Sequence, residues 1–362
     1  MKIKILFTTT NFDTAGSGKV LYDLAKGLNK EKFDISIACK NSKGTFFKEI
    51  EKLQLPIHIV PIDQPLIPYR TLFSRLQPFR SFLKKEGFDI VHSWHWSSDW
   101  TEALAVRLQG AKYVYTKKAM TWGNIHWKIR SFLSHFIITL NDEMKFYFPN
   151  KKNQKLIPLG IDSDYYNPLL FSNNNHDRFT IITVANLVPV KGIEVLIKAI
   201  DRLQNPSIHL DILGDTRDTY ADVLQQLVVD LNLENQVSFL GKHTDVRPFL
   251  AQSDLYIIPT LDEGRKEGMP MALVEAMCMG IPVLGSNITG IKYVLRDFQA
   301  LLFEANSAAS LSDKITGFYA KSCGERKAIG KSLREYCIEN FSMQKFIQEH
   351  EDLYLKLTKK NK

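Results

Sequence analysis

Two doubly wound parallel α/β sheets, one in each half of the chain, are the fold that the sequence predicts. Three observations carry this expectation. At 362 residues the chain is longer than one hydrophobic core ordinarily serves. Short runs rich in Ile, Val and Phe alternate with helical patterns from end to end, which is the rhythm of βαβ units. The alternation lapses at 167–178, NPLLFSNNNHDR, a polar, Asn-rich stretch without periodicity that reads as an interdomain linker. The reading therefore assigns 1–166 to an N-terminal domain and 167–341 to a C-terminal one, with an amphipathic helix over about 342–362.

The strands of the first half are expected at KIKILFTTT, FDISIAC, PIHIVPI, FDIVHS, AKYVYT and FIITL, with helices such as GKVLYDLAKGL and DWTEALAVRLQ between them. Those of the second half are FTIITVAN, SIHLDILGD, QVSFLG, DLYIIPT and IPVLGS, separated by GIEVLIKAIDRL, ADVLQQLVVDL and MALVEAMCM. MKIKILFTTTNF reads as a first strand rather than a signal peptide, because TTTN breaks its apolar core too early. No apolar run approaches the length of a membrane span. The four cysteines show neither CxxC nor metal-ligand spacing, which suits a reduced, cytoplasmic setting.

The net charge of +8 is lopsided. Residues 1–170 hold 25 Lys and Arg against 15 Asp and Glu, an excess of ten, while the remainder holds 22 against 24. Such a first half suits an anionic partner: a membrane surface at the inner face of the cytoplasmic membrane, or a lipid phosphate. Plain solubility accounts for it equally well. Nucleic acid is not expected, because no recognisable binding module accompanies the charge.

Ligands of open parallel sheets sit beyond the carboxyl ends of the strands, where helix amino ends point. Four loops of that kind carry candidate residues. Gly16-Ser17-Gly18 opens a helix after the first strand and offers bare amides to a phosphate; Val20 after Lys19 rules out a P-loop. FDIVHSWHWSSDW brings His92 and His95 together with Trp94 and Trp96, and all five tryptophans fall between 94 and 127, Trp122 among them. Aromatic faces stack on sugar rings, although ordinary core packing explains some of these residues. Lys191-Gly192 precedes the first helix of the second domain, where a lysine can meet an anion held at the helix end. Finally, EGRKEGMPMALVEAM places Glu267 in the loop before a helix opened by Pro270 at its first position, and Glu275 inside that helix. Two acceptors flanking free amides suit a molecule with an anionic middle and hydroxylated ends, as a nucleotide sugar is. The D-x-D of Asp162 and Asp164 reads as turn and capping chemistry, so no metal is expected.

EGRKEGMPMALVEAM resembles the E-x7-E signature of the retaining glycosyltransferases of family 4, which have the GT-B fold of two Rossmann-like domains facing across a cleft. AGSGKVLYDLAKGL, FDIVHSWHW, IPLGIDSDYYNP, LVPVKGIEVLIKAI, VSFLGKHTDVRPFLAQSDLYIIPT and IPVLGSNITGI extend the likeness along nearly the whole chain. The resemblance implies a donor held mainly by the second domain, an acceptor held by the first, no divalent metal or other cofactor, and a last helix that crosses back to the first domain. It gives Glu267 the sugar hydroxyls, Glu275 the ribose, Lys191 the diphosphate and Gly16 a phosphate contact. Gly241 would border the base, and Gly268, Met269 and Met271 would line the donor beside Glu267. His92 or His95 would meet the sugar, with Trp94, Trp96 and Trp122 on the acceptor side.

Three positions depart from the family pattern. Asn186 stands where an Arg is usual, Gly18 where a Glu is frequent, and Trp94 interrupts the common His-x-His. Lys117 and Lys118, at the end of AKYVYT, are candidates for the missing positive charge. The expected activity is retaining transfer of a sugar from a UDP- or GDP-sugar to a glycan or lipid-linked acceptor, in cell-surface polysaccharide or lipopolysaccharide biosynthesis. A nucleotide-sugar epimerase of similar architecture and a non-catalytic nucleotide-sugar-binding protein are the alternatives.

Overall fold

A computed structural model describes residues 2–12, 15–44, 46–120, 122–172, 178–217, 219–264 and 266–359, with backbone only at 15–17. The chain divides into two compact units, Met1–Gly160 with Met343–Lys362, and Ile161–Ser342. The division falls six residues before the 166/167 expected from composition. Ile161 and Tyr166 are buried, and Arg334 donates to the Tyr166 carbonyl at 2.7 Å, so the segment after Gly160 packs with the second unit. Residues 173–177 of the polar stretch lie outside the described residues.

The first unit is a parallel sheet of seven strands: β1 Ile3–Thr9, β2 Phe33–Cys39, β3 Ile57–Ile59, β4 Ile90–Ser93, β5 Lys112–Lys117, β6 Phe136–Thr139 and β7 Gln154–Leu156, in the order β3-β2-β1-β4-β5-β6-β7. Its helices are α1 Ala15–Gly27, α2 Phe47–Glu51, α3 Leu72–Glu86, α4 Thr101–Leu108 and α5 Ile125–Leu133. The second unit has six parallel strands: β8 Phe179–Val184, β9 Ile208–Leu213, β10 Val237–Gly241, β11 Leu255–Ile258, β12 Val283–Ser286 and β13 Leu302–Phe303, in the order β10-β9-β8-β11-β12-β13. Its helices are α6 Ile193–Leu203, α7 Thr219–Asp230, α8 Arg247–Ala251, α9 Met271–Cys278, α10 Thr289–Val294, α11 Ala308–Tyr319 and α12 Cys323–Phe341. The inner strands of each sheet are largely buried on both faces, as continuous apolar runs in parallel sheets require, while the edge strands β3, β7 and β10 are partly exposed. In each unit the strand order reverses once, between β1 and β4 and between β8 and β11. The crevice beyond a parallel sheet opens at such a reversal.

The last helix, α13 Met343–Thr358, packs on the first unit. A Cβ on Gly27 would stand 2.1 Å from Ile347 Cδ1, so a larger residue there would have to push the Ile347 side chain of α13 aside. Tyr354 and His350 of α13 enter the core beside His92, whose Nδ1 lies 2.6 Å from Tyr354 Oη and whose Nε2 lies 2.7 Å from Thr116 Oγ1. Glu351 accepts from the Asn29 amide at 2.8 Å.

A buried charge network braces the carboxyl end of β4. Glu102 of α4 accepts from Thr8 Oγ1, from Ser93 Oγ at 2.7 Å and from Tyr113 Oη at 2.8 Å. Arg130 of α5 is wholly buried. Its Nη2 donates to Ser93 Oγ at 2.9 Å and to Tyr113 Oη at 2.8 Å, with Glu102 Oε2 at 3.5 Å. Its Nη1 donates to the carbonyls of His95, at 3.2 Å, and Ser97. Arg130→Met leaves Glu102 buried without its cation, so it should cost about 3–5 kcal/mol of stability, read from chemical denaturation. Burial also holds His92 well below the usual imidazole range, His95 at about 3, and His135 and His350 at about 4. Below the unfolded value near 6.5, the unfolded chain binds protons that these folded imidazoles refuse, so their contribution to stability shrinks as pH falls. The raised carboxyls of Asp99 and Glu102 act in the opposite sense. The informative comparison is therefore His350→Phe, which should reduce the destabilisation between pH 7 and pH 5 by up to about 2 kcal/mol.

Candidate active site

At the strand-order reversal of the second unit, two loops meet. The loop after β8 runs past Asn186, which is exposed, into a single 3-10 turn at Pro189–Lys191. Gly192 then caps α6 with φ +64°, and a Cβ there would stand 2.2 Å from the Pro259 carbonyl oxygen. Both facts demand glycine. The Leu261 amide donates to the Val190 carbonyl at 2.9 Å, which fastens the lysine turn to the loop leaving β11. Lys191 Nζ consequently reaches Glu267, donating to Oε1 at 2.9 Å across 76 positions of sequence. The lysine side chain is 15% exposed and the glutamate 53%, so the pair opens to solvent on the carboxylate side.

The Glu267 segment is seated from below by Gly290 of α10. A Cβ at Gly290 would come 2.3 Å from the Glu267 carbonyl oxygen and 3.1 Å from that of Gly268. Sequence reasoning gave Gly290 no role; only the contact reveals it. Pro270, expected at the first helical position, is instead the extended residue just before α9, and the helix starts at Met271. The first amides of α9 have no acceptor within the helix and carry the positive end of its dipole. Gly268 and Met269 are buried beneath them, and Met271 and Glu275 are half-buried in α9. Burial, and then the charges of Glu275 and Glu267, push the Tyr256 phenol on β11 well above its usual range. Gly241 ends β10 with φ +75°, its carbonyl accepting from the Gly214 amide at 3.0 Å.

The first unit sorts its candidates differently. His92 has both ring nitrogens engaged inside the core and no exposure, so it is a structural residue rather than a sugar contact. Trp94 is 1% exposed and lies 5.0 Å from the His92 ring, which removes it from the acceptor side as well. Lys117 is also buried, its ammonium 3.7 Å from the centroid of the Trp127 ring, and it cannot supply the charge that Asn186 lacks. His92 and Lys117 lie in β4 and β5, whose residues face the helix layers, and Trp94 follows β4 directly, its amide still donating to the Thr8 carbonyl of β1 at 2.8 Å.

His95, Trp96 and Lys118 lie beyond those strand ends. His95 keeps 6% exposure, with Nδ1 at 3.5 Å from Asp63 Oδ2 and 3.4 Å from Ser97 Oγ. Burial and the charges of Arg130, Lys40 and Lys118 lower it to about 3, so it is neutral at physiological pH. Trp96 is half exposed and Lys118 partly so. Trp122 stacks on Tyr147 at 5.4 Å and 3°. Gly16 falls in the first turn of α1, and Gly18 faces the Phe46 ring, 2.7 Å from the place of a Cβ, too close for any larger side chain without rearrangement. Arg130, which holds the loop of His95 by its carbonyls, carried no sequence signal.

Asp162 accepts from the amides of Asp164 and Tyr165, both at 3.0 Å, the turn chemistry expected of that D-x-D. Among the described residues no three His, Cys, Asp or Glu side chains cluster as metal ligands, and no helix is long and apolar enough to cross a membrane.

Comparison with known proteins agrees with this arrangement. Residues 14–165 match the family model described as Glycosyltransferase Family 4, and residues 170–340 match Glycosyl transferases group 1. The chain is 24% identical to the Escherichia coli UDP-Gal:alpha-D-GlcNAc-diphosphoundecaprenol alpha-1,3-galactosyltransferase, over 98% of this chain and 97% of that one. Its fold superposes on a glycosyltransferase from Rickettsia africae ESF-5 with a TM-score of 0.85 at 19% identity, covering 99% and 100% of the two chains. Anabaena HepE, solved in complex with UDP, gives 0.80 at 18% identity, covering 98% and 100%. Carrying both domain types in that order along most of its length, the chain belongs to the family 4 glycosyltransferases of GT-B fold.

Proposed function

We propose that this glycosyltransferase moves a sugar from a UDP- or GDP-sugar to a hydroxyl of a glycan or lipid-linked acceptor, with retention at the anomeric carbon and without a divalent metal. The acceptor belongs to a cell-surface polysaccharide or lipopolysaccharide under assembly at the inner face of the cytoplasmic membrane. The observation that carries the reading is the Lys191–Glu267 pair beside the amino end of α9. The named substrates of the E. coli relative, a UDP-sugar and a diphosphoundecaprenol-linked acceptor, and the UDP bound to HepE support the choice of substrate class.

The chemical problem is departure of a nucleoside diphosphate while the sugar becomes cation-like. One Lys191 proton goes to Glu267, which leaves two for phosphate oxygens, and the α9 amides add fixed dipoles where charge builds. With Asn186 in place of a cation, Lys191 carries this duty in the second unit. Glu267, largely open to solvent, takes hydroxyls of the donor sugar, while Glu275 takes the ribose. Gly241, Gly268, Met269 and Met271 shape the wall around the nucleotide, and Gly16 gives an amide to phosphate. On the acceptor side Trp96, Lys118 and Trp122 remain candidates. His95 at about 3 is too weak a base to take a proton at neutral pH. With Nδ1–H directed at Asp63, its Nε2 lone pair accepts a hydrogen bond from a sugar hydroxyl instead. Attack from the face of the departing phosphate is the course that the resemblance to the retaining family 4 enzymes implies.

Lys191→Ala should lower kcat by about 10²–10³, the loss typical of one oxyanion donor. An unchanged turnover would remove the lysine from the reaction. Glu267→Gln should lower transfer about tenfold or more while the melting temperature stays within about 2 °C, because an exposed pair contributes little stability. Thermal-shift screening of the wild-type chain against UDP- and GDP-sugars identifies the donor, and a panel in which none raises the melting temperature would count against the proposal.

A further inference from the structure

We propose that a basic groove along α5 of the first unit holds the distal part of an acidic glycan acceptor, one that carries carboxylates or phosphates at intervals along its chain. This rests on the reading of a glycan acceptor and names its chemistry. The groove has a volume of about 1460 Å³ and begins at the amino ends of β4, β5 and β6, where Asp89, Lys112 and Phe136 line it. From that edge it passes Phe132 and Lys128 of α5 and reaches Trp122 and Tyr147, which follow the carboxyl ends of β5 and β6. Trp122 thus belongs both to the groove and to the acceptor-side candidates. A volume beyond the ~300–1,000 Å³ of small-molecule pockets suits a chain rather than a single sugar.

Charge sets the class of ligand. Six cations line the groove, Arg107, Lys112, Lys128, Lys151, Lys356 and Lys359, against one acid, Asp89, whose Oδ2 already accepts from the Lys4 amide at 2.8 Å. Among the described residues none of the six forms an ion pair with a carboxylate. Two of them are held by the carboxyl end of α5. Lys151 Nζ donates to the Ser131 carbonyl at 2.9 Å and to that of Ser134, and Arg107 Nη1 donates to that of Leu133 at 3.3 Å. Burial, and then the charges of Lys112, Arg107 and Lys151, lower the lining His135 to about 4, so its ring is neutral. Its Nδ1 accepts from the Tyr113 amide at 3.0 Å, which leaves Nε2–H as a further donor. Lys112, His135 and Lys151 are half-buried and Lys128 and Lys356 exposed, so donors line the groove in depth as well as at its rim. A flat bilayer would meet only the rim. A glycan strand in the groove reaches the deeper cations with its acid groups and lays sugar faces on Phe132 and Phe146, which are 76% and 79% exposed.

Fluorescence anisotropy of labelled oligosaccharides with the full chain, in the absence of donor and at physiological ionic strength, tests this. A galacturonate oligomer and a phosphorylated mannan oligomer distinguish carboxylate from phosphate as the group recognised. At least one should bind, and a neutral maltose oligomer of equal length should not. Lys128→Glu with Lys356→Glu, and separately Phe132→Ser with Phe146→Ser, should each weaken binding about tenfold or more while melting temperature and donor-induced thermal shift persist. Lys198→Glu with Lys327→Glu, the same change of charge at exposed positions of the second unit, should bind as the wild type does. Failure of both acidic oligomers to bind overturns the proposal. So do equal binding of the neutral oligomer, equal loss in the Lys198/Lys327 variant, tighter binding of a single-stranded oligonucleotide, or capture by anionic vesicles in place of the glycans. Groove-dependent glycan binding in a chain that no nucleotide sugar stabilises would support the groove and count against the proposed reaction. A chain that a donor stabilises but that ignores both acidic oligomers would keep the reaction and lose the groove.

Discussion

Backbone packed directly on backbone is the constraint on which the candidate site depends. The Pro259 carbonyl occupies the space of a Cβ at residue 192, the Ala185 carbonyl that of one at Gly214, and the Glu267 carbonyl that of one at Gly290. Each contact would be forbidden to any residue with a side chain. Together they draw the loops leaving β8, β9, β11 and β12 into one assembly at the point where the strand order reverses. Lys191 and Glu267 then meet without contributing much to the closure themselves. Their ion pair is too exposed to hold two loops together, and the glycine contacts have already done so.

The first unit solves the corresponding problem with charge. Arg130 and Glu102 are both removed from water, a cost that their mutual attraction alone, over 3.5 Å, does not recover. Ser93, Thr8 and Tyr113 hydrogen-bond the carboxylate, and the carbonyls of His95 and Ser97 accept from Nη1 of the guanidinium. The network thereby fixes the backbone of the loop that carries His95. It also raises the local positive potential, which is one reason the His95 ring stays neutral.

Much of the fold was legible in the sequence. The eleven strands read from apolar runs all form, and most of them are buried between helix layers, where short runs rich in Ile, Val and Phe pack well in a parallel sheet. β7 and β13, three and two residues long, escaped notice, since so short a segment shows neither alternation nor a sustained apolar stretch. At the site, Lys191, Glu267 and Trp96 lie in turns or loops with part of each side chain exposed, while His95, also in a loop, keeps only 6% exposure. His92 and Lys117, within β4 and β5, and Trp94, one residue past β4, are interior. An aromatic and basic cluster in sequence was therefore two populations, the change from interior to surface coming at Trp96, three residues past β4, and at Lys118, directly past β5.

What the sequence determined by itself was the alternation of strands and helices, the placing of glycines, and the identity of the acids and the lysine, because these follow from local periodicity and side-chain chemistry. What only the tertiary structure decided was which of them share a place. Lys191 and Glu267 are 76 positions apart, Glu102 and Arg130 28, and His92 and Tyr354 262. Nothing local encodes such separations. They are set by the order of strands in each sheet and by the few points where one backbone can approach another closely enough to exclude a side chain.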